Sequence, residues 1–333
     1  MDVEDADLHP GLLPALRSVP MHEGLPRNIV LIVNPVAGGG RGKRALRDAL
    51  PILKERGLDP EVHVTASGDE PPHIARAAAA AGADLVVAIG GDGHLAAVGE
   101  GLVGTDTPMA VLAAGSANDY ARTIDMPRAN VRAAVDAILE AQTRRVDVLR
   151  VEPAGAPART FLNVIGTGFD AAVAAAAERI TMFRGSGRYV IAIMRVLPRY
   201  EASELRLTVD GKPHTQRAMM IAIAKGPAYG GGMRVAPNAS LDSGELEVCI
   251  VGELSKIAFV RAFPRVFKGT HVTHPAVTML RGKTIEIDAD SSLQLMGDGE
   301  KAGTLPAIVS VMPAALWVAM GPNPRYGTLG QPS

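Results

Sequence analysis

An α/β domain followed by a β-rich domain with inserted helices is the fold that three observations predict. Between residues 28 and 141, short apolar runs rich in Val and Ile alternate with stretches of helical periodicity. That is the pattern of βαβ units around a parallel sheet. Glycine-containing loops, Asn34–Gly42, Gly90–Gly93 and Gly115–Asp119, follow three of those runs directly, and ligands of parallel sheets gather beyond the carboxyl ends of the strands. Near Arg144 the spacing changes, and short strand candidates dominate the rest of the chain.

The elements can be justified in order. Residues 1–26 carry Pro10, Gly11, Pro14, Pro20, Gly24 and Pro26 without a strong period, so this leader is expected to be poorly ordered. Across 27–143 the strands expected are 28–33, 61–65, 85–89 and 109–113. The helices are 43–56 (bent at Pro51), 72–81, 95–102 and 131–141. In 144–311 strands are expected at 146–151, 161–165, 204–209, 218–224, 245–251, 284–287 and 293–296, with Asp210-Gly211 as a hairpin signal. Helical stretches at 171–180, 188–196 and 255–267 interrupt them. The last apolar segments, 307–311 and 314–320, are expected to return to the first domain, completing it over 312–322.

Composition narrows the function classes. A length of 333 residues favours two domains. Apolar residues reach 47% but aromatics only 4%, so aliphatic side chains must fill the cores. A net charge of −1 supplies no global attraction to nucleic acid, and none is expected as a partner. The single cysteine, Cys249, cannot form an intrachain disulfide; its strand-like surroundings favour a buried thiol over a nucleophile. No apolar stretch approaches the ~20 residues of a membrane span, and Met1–Asp7 is acidic, unlike a signal peptide. A cytoplasmic protein is expected.

Chemistry concentrates in the loops. Gly90-Gly91-Asp92-Gly93 follows a buried strand and opens a helix, where backbone can approach a phosphate closely. Asp92, a carboxylate in that position, calls for a cation or a proton as partner; a tight turn is the plainer alternative. Asn34 and Gly38-Gly39-Gly40, with Arg41, Lys43 and Arg44, fit a triphosphate cradle or a flexible turn with a solvated basic helix end. Ser116 could cap the helix after the third loop, with Asn118 and Asp119 in its first turn. Arg122, one turn on, can face the same site as they do. Near the end, Asp298-Gly299-Glu300 follows a strand, and i, i+2 spacing would place both carboxylates on one side of extended chain. A hairpin tip is the alternative there.

These motifs together resemble the diacylglycerol kinase and sphingosine kinase family of soluble lipid kinases over roughly residues 27–320. The resemblance also rests on Phe161-Leu162-Asn163, Gly168-Phe169-Asp170, Pro237-Asn238-Ala239 and Leu241-Asp242-Ser243-Gly244. It implies a parallel-sheet nucleotide-binding domain, an antiparallel β-sandwich-like second domain and an active site in the cleft between. ATP phosphates would lie on the first loop, Gly91, Gly93, Gly115 and Ser116. Asp92, Asn118 and Asp119, with Arg122 assisting, would organise nucleotide and Mg²⁺, Asp147 joining the metal network through water. Asp298 would be the general base and Glu300 its orienting neighbour. Asp170 would hold the polar end of the lipid. Met182, Phe183, Tyr189, Ile193 and Leu197 offer it apolar walls or are plain core, and Arg184, Arg188, Arg195 and Arg199 meet headgroups or form a solvated helix face. The implied activity is ATP-dependent phosphorylation of a lipid hydroxyl, diacylglycerol to phosphatidic acid, during transient peripheral contact with a membrane. A homodimer is left open.

Three departures from the family pattern stand out. His94 and Ala97 occupy positions usually held by Thr and Glu. Gly39 stands where some bacterial relatives place a phosphate-binding lysine, which Lys43 would have to replace. Asp242-Ser243-Gly244 lacks the second carboxylate of a structural Mg²⁺ loop, so no second metal is expected, and the loop holding His271 and His274 reads as structural. A sphingosine-type lipid kinase, an enzyme related to NAD kinases and a non-catalytic nucleotide- or lipid-binding protein remain as alternatives.

Overall fold

The computed structural model describes residues 19–20, 25–180, 187–289 and 293–322. Met182, Phe183 and Arg184 lie outside them, as do the side chains of Arg188 and Tyr189. The first part runs β1 (Val19–Pro20), β2 (Ile29–Val33), α1 (Ala37–Glu55), β3 (Glu61–Val64), α2 (Glu70–Ala80), β4 (Leu85–Gly90), α3 (Asp92–Leu102), β5 (Met109–Ala113), α4 (Asp119–Thr123) and α5 (Val131–Leu139). The second continues with β6 (Gln142–Pro153), β7 (Arg159–Phe161), β8 (Val164–Gly168), α6 (Phe169–Glu178), α7 (Gly187–Val196), β9 (Ser203–Val209) and β10 (Lys212–Ala224). It ends with β11 (Leu246–Gly252), α8 (Lys256–Ala262), α9 (Arg265–Lys268), β12 (Val277–Gly282), β13 (Thr284–Ala289), β14 (Gln294–Gly297), β15 (Glu300–Thr304) and β16 (Ala307–Met320).

β5, β4, β2 and β3 lie side by side in that order, all parallel. β2 and β4 are buried at every position, which is why both are unbroken apolar runs rather than alternating ones. Helices α1, α2, α3 and α5 pack on these strands and close the first core. The remaining long pairings are antiparallel. They enclose a second core of Leu149, Phe161, Leu205, Ile221, Ile285 and Val309, while Phe169, Ala192, Leu197, Cys249 and Phe259 belong to a third that also draws on α6, α7 and α8. Burial pushes the Cys249 thiol up to about 12, so it is an inert core residue.

Two strands belong to both parts. β16 pairs with β6 from Ala307 against Pro153 to Met320 against Gln142. Its first half also pairs with β13, and Val318 pairs in parallel with Met109 of β5. The return of the last apolar segment is thus one strand, not two. Val146 and Val148 of β6 sit in the first core, Leu149 and Val151 in the second, so a boundary drawn at 143/144 falls inside a strand. Further departures have local causes. α1 continues through Pro51, its non-helical geometry lying at Gly38–Gly40 instead. The single helix expected over 255–267 is two, parted at Phe263-Pro264, where the ring removes an amide donor.

Pro313 interrupts β16, and the register with β6 shifts between Met312 and Leu316. Asp147 holds this bulge. Its Oδ1 accepts the Ala314 amide at 2.8 Å and its Oδ2 the Gly244 amide at 2.7 Å, with Lys225 Nζ 2.6 Å away. Lys225 is fully buried and also donates to Ser243 Oγ and the Glu245 carbonyl, both at 2.8 Å. All three ammonium protons therefore have partners. Burial pulls this ammonium down from its ordinary value, opposed chiefly by Asp147. Deleting one member of such a pair strands a buried charge, at about 3–5 kcal/mol. Lys225→Met should lose stability on that scale in urea denaturation, and adding Asp147→Asn should recover part of it; wild-type stability in Lys225→Met would refute the clamp.

Candidate active site

The three glycine loops touch one another. Gly38, Gly39 and Gly40 have φ of 57°, 73° and 90°, a left-handed run open in practice only to glycine. The Gly39 and Gly40 amides turn back onto the Val36 carbonyl, at 3.1 and 3.2 Å, so these two do not face an anion as the sequence suggested. What the loop offers is room: a methyl on Gly39 or Gly40 would meet nothing within 4 Å. Arg41, rather than Lys43, spans the gap to the third loop, donating to the Gly38 carbonyl (3.1 Å) and to Ser116 Oγ (3.5 Å); Lys43 is exposed on α1. Gly91 and Gly115 meet backbone to backbone, since a Cβ on Gly115 would stand 2.4 Å from the Gly91 Cα.

Asp92, not Ser116, caps the helix after the third loop. Asn118 is left-handed (φ 54°) and makes no side-chain cap, and Asp92 Oδ1 accepts the Tyr120 amide at 3.0 Å. A carboxylate at these orphan amides satisfies donors that the helix itself cannot. Burial raises the Asp92 carboxyl, the Asp119 charge adds to the rise, and amides of residues 118–120 oppose it. Asp119 is buried; its Oδ2 accepts the Gly231 amide at 2.7 Å, and Arg122 Nε stands 3.5 Å from its Oδ1.

The second part closes on the same loops. Asp298 does not lie in extended chain: with Gly299 it forms the left-handed turn joining β14 to β15 (φ 48° and 87°), the geometry of the hairpin alternative. The turn aims the carboxylate at three successive amides. Oδ2 accepts from Leu162 (2.6 Å) and Asn163 (3.3 Å), and Oδ1 from Val164 (3.1 Å). Burial outweighs those amides, and with the charge of Asp92 it pushes the Asp298 carboxyl up to about 7. Asp92 and Asp298, 206 positions apart in the chain, thus feel one another. Glu300 lies against the start of α3, where a methyl on Gly93 would stand 2.4 Å from its Cγ. Two buried polar atoms among these groups have no partner, Asn118 Oδ1 and the Tyr120 hydroxyl.

Two family models match. The diacylglycerol kinase catalytic domain covers residues 28–151, and the YegS C-terminal NAD kinase beta sandwich-like domain covers 163–320. A diacylglycerol kinase of Mycobacterium tuberculosis is 33% identical over 300 residues, 90% of this chain and 96% of the relative. The chain belongs to the diacylglycerol kinase family. It is an enzyme of the kinase class. A Bacillus subtilis diacylglycerol kinase is 26% identical over 83% of this chain and 90% of its own. The crystal structure of a diacylglycerol kinase from Bacillus anthracis shares the fold at a TM-score of 0.68 and 21% identity, covering 89% of this chain and 98% of the other.

Asp170 lies near the same group of loops, beside Tyr229. Its Oδ2 accepts the Tyr229 hydroxyl at 3.4 Å, its Oδ1 is buried without a partner, and burial pushes the carboxyl up to about 7. Asp170 and Asp119 both raise the Tyr229 hydroxyl, which links the two carboxylates. Of the expected lipid walls, Leu197 is buried and Ile193 packs beside it in the third core.

Asp147 is a correction. Its oxygens serve Lys225, Gly244 and Ala314, so its charge is neutralised inside the junction rather than shared with Asp92 and Asp119. The Asp242-Ser243-Gly244 loop packs on the Lys225 ammonium. His94 turns away from the loops and donates to the Ile32 carbonyl at 3.0 Å; a Cβ on Gly90 would collide with its ring. The His271 ring likewise contacts the Val235 carbonyl at 3.1 Å, and among the described residues no group of three or more His, Cys, Asp or Glu stands ready to hold a metal. A cavity of about 380 Å³ between α2 and α3 is lined by none of the loop residues.

Sequence reasoning missed Gly230-Gly231-Gly232, a second left-handed glycine run (φ 62°, 88° and 104°) that seals Asp119. Its resemblance to Gly38–Gly40 was the available signal. Tyr120 and Tyr229 were missed as well, and Asn163 was noted only as part of a family motif. Between about pH 4 and 7 the folded protein holds a proton on Asp170 that the unfolded chain has released, so this group lowers stability as pH rises through that window. Asp170→Asn should therefore gain on the wild type across it, by at most about 1.4 kcal/mol per pH unit. Denaturation midpoints at several pH values measure the difference, and a pH-independent one would refute the buried protonated carboxyl.

Proposed function

We propose that this protein is an ATP-dependent lipid kinase that transfers the γ-phosphoryl group to a lipid hydroxyl, diacylglycerol being the favoured acceptor and phosphatidic acid the product. The observation that carries the reading is the Asp298 carboxylate, held by three amides, raised to about 7 and coupled to Asp92. A base acts best when its pKa lies near the working pH. Three amides leave one lone pair of Oδ1 for a fourth donor, and the acceptor hydroxyl supplies it. Asp298 takes that proton as the hydroxyl oxygen bonds to the γ-phosphorus and the bridging oxygen leaves with ADP. Glu300, against Gly93, keeps the hairpin tip seated on α3.

The triphosphate lies in the open space over Gly39 and Gly40 and along Gly91, Gly93 and Gly115, with Asn34 and Ser116 at its edges. Arg41 and Arg122 supply positive charge. Asp92 repels both Asp119 and Asp298, which a cation relieves, and Asn118 Oδ1 is an unused buried acceptor. These groups suit Mg²⁺, which takes one or two carboxylates and completes its shell with phosphate and water. Asp92 and Asn118 would hold the ion, Asp119 adding charge, and it would offset charge on the phosphates. The acceptor approaches from the side of Asp170. Such a lipid is met at a membrane surface, so the enzyme works as a cytoplasmic protein in transient peripheral contact; no helix among the described residues is long and apolar enough to cross a bilayer.

The NAD kinase-like sandwich in the matched family description gives a second acceptor to test. Incubation with Mg²⁺ and γ-labelled ATP should label diacylglycerol ahead of monoacylglycerol, sphingosine and NAD offered in parallel; label in NAD alone would overturn the proposal. Asp298→Asn should lose at least about 100-fold in kcat while nucleotide affinity, read by calorimetry, stays near wild type. In the wild type, kcat/KM should fall tenfold per pH unit below about 7, as Asp298 is protonated. A flat profile there would remove it as the base.

A further inference from the structure

α8 and α9 show solvent an apolar stripe. Ile257, Val260 and Phe267 are 67%, 55% and 50% exposed, whereas Phe259, on another side of α8, is 7% exposed and packs in the third core. The stripe is rimmed by one sign of charge: Lys256, Arg261, Arg265 and Lys268 fall within residues 256–268, which contain no Asp or Glu, in a chain of net charge −1. Arg261 and Lys268 are exposed and make no ion pair among the described residues, so their charge is not spent internally.

Phenylalanine is concentrated here as well. Phe169 meets Phe259 at 4.9 Å between ring centroids, Phe259 meets Phe263 at 6.1 Å, and Phe263 meets Phe267 at 5.9 Å. Four of the chain's six phenylalanines thus form a ladder from the exposed face to Phe169, the neighbour of Asp170. A helix face meant only for water would bury Ile257, Val260 and Phe267 or replace them. Exposed aliphatic and aromatic side chains beside unpaired cations have the chemistry of an interfacial surface, apolar groups entering the acyl boundary and cations meeting anionic headgroups.

We propose that the face formed by Ile257, Val260, Phe267, Arg261 and Lys268 docks on an anionic lipid bilayer and brings the Asp170 side of the site to the membrane. The docking stands by itself; the delivery of an acceptor to Asp170 rests on the lipid-kinase reading above. The full chain should sediment with vesicles of phosphatidylcholine mixed with phosphatidylglycerol, less with phosphatidylcholine alone, and less at high salt. Arg261→Glu/Lys268→Glu and, separately, Val260→Ser/Phe267→Ser should weaken binding to the mixed vesicles at least about tenfold, with unchanged thermal melting. Both variants should keep wild-type phosphorylation of a short-chain diacylglycerol dispersed in detergent and lose it on the vesicles.

Vesicle binding equal to wild type in both double variants would overturn the docking face. So would a dimer, seen by light scattering, that the variants dissolve without loss of vesicle binding, since the stripe would then belong to a second copy of the chain. If the kinase reading is what fails, no acceptor is labelled in detergent while vesicle binding and its loss in the variants persist.

Discussion

The pairing of β16 with β6 through both cores is the constraint on which the rest of the structure depends. Because those two strands share one ladder from Ala307–Pro153 to Met320–Gln142, the parallel sheet and the antiparallel strands cannot shift independently. Pro313 breaks that ladder at its midpoint, and the Asp147–Lys225 pair mends it by holding the bulge, the 240–245 loop and the end of β10 together. A buried ion pair contributes little net stability, but it specifies one arrangement strongly, because every other arrangement leaves a charge without a partner. The seam where the two parts meet therefore keeps one geometry.

That geometry sets carboxylates against each other. Asp92 does two things at once, capping the first amides of α4 and standing where its charge reaches both Asp119 and Asp298. Asp298 is held in turn by the amides of residues 162–164, on the segment that leads into β8. Amides favour the ionised form and burial disfavours it, and the balance leaves Asp298 and Asp170 near neutrality, where a carboxyl can both hold and release a proton. His94, which departs from the family pattern, is accommodated by Gly90 and a carbonyl of β2. It affects packing under the loop and leaves the acidic groups in place.

Much of the fold was legible in order along the chain. Three strands of the parallel sheet, β2, β4 and β5, are continuous apolar runs followed by glycine-containing loops, and the Asp210-Gly211 hairpin carries its own signal. The short pieces were not legible: α4 has only five residues, and β7, β12 and β15 are short or half-exposed strands whose formation depends on their neighbours. At the site, the residue types of the three loops and of Asp298-Gly299-Glu300 pointed to segments that the fold brings together, but to the wrong local geometry. Ser116 lost the cap to Asp92 because a residue 24 positions earlier reaches the same amides. The i, i+2 argument for Asp298 and Glu300 failed because two consecutive left-handed residues make a turn.

What the sequence determined by itself is local: the hydrophobic period of each strand and helix, the positions where only glycine can turn the chain, and the motifs that identify the family. Which groups meet was decided by tertiary structure. Asp147 reads in sequence like any other acidic strand residue, yet the fold spends it on Lys225, 78 positions away, while Asp92 and Asp298 are brought into one field. Periodicity is a property of neighbours along the chain, whereas charge coupling, burial and the satisfaction of amides depend on distances through space, which a one-dimensional pattern does not contain.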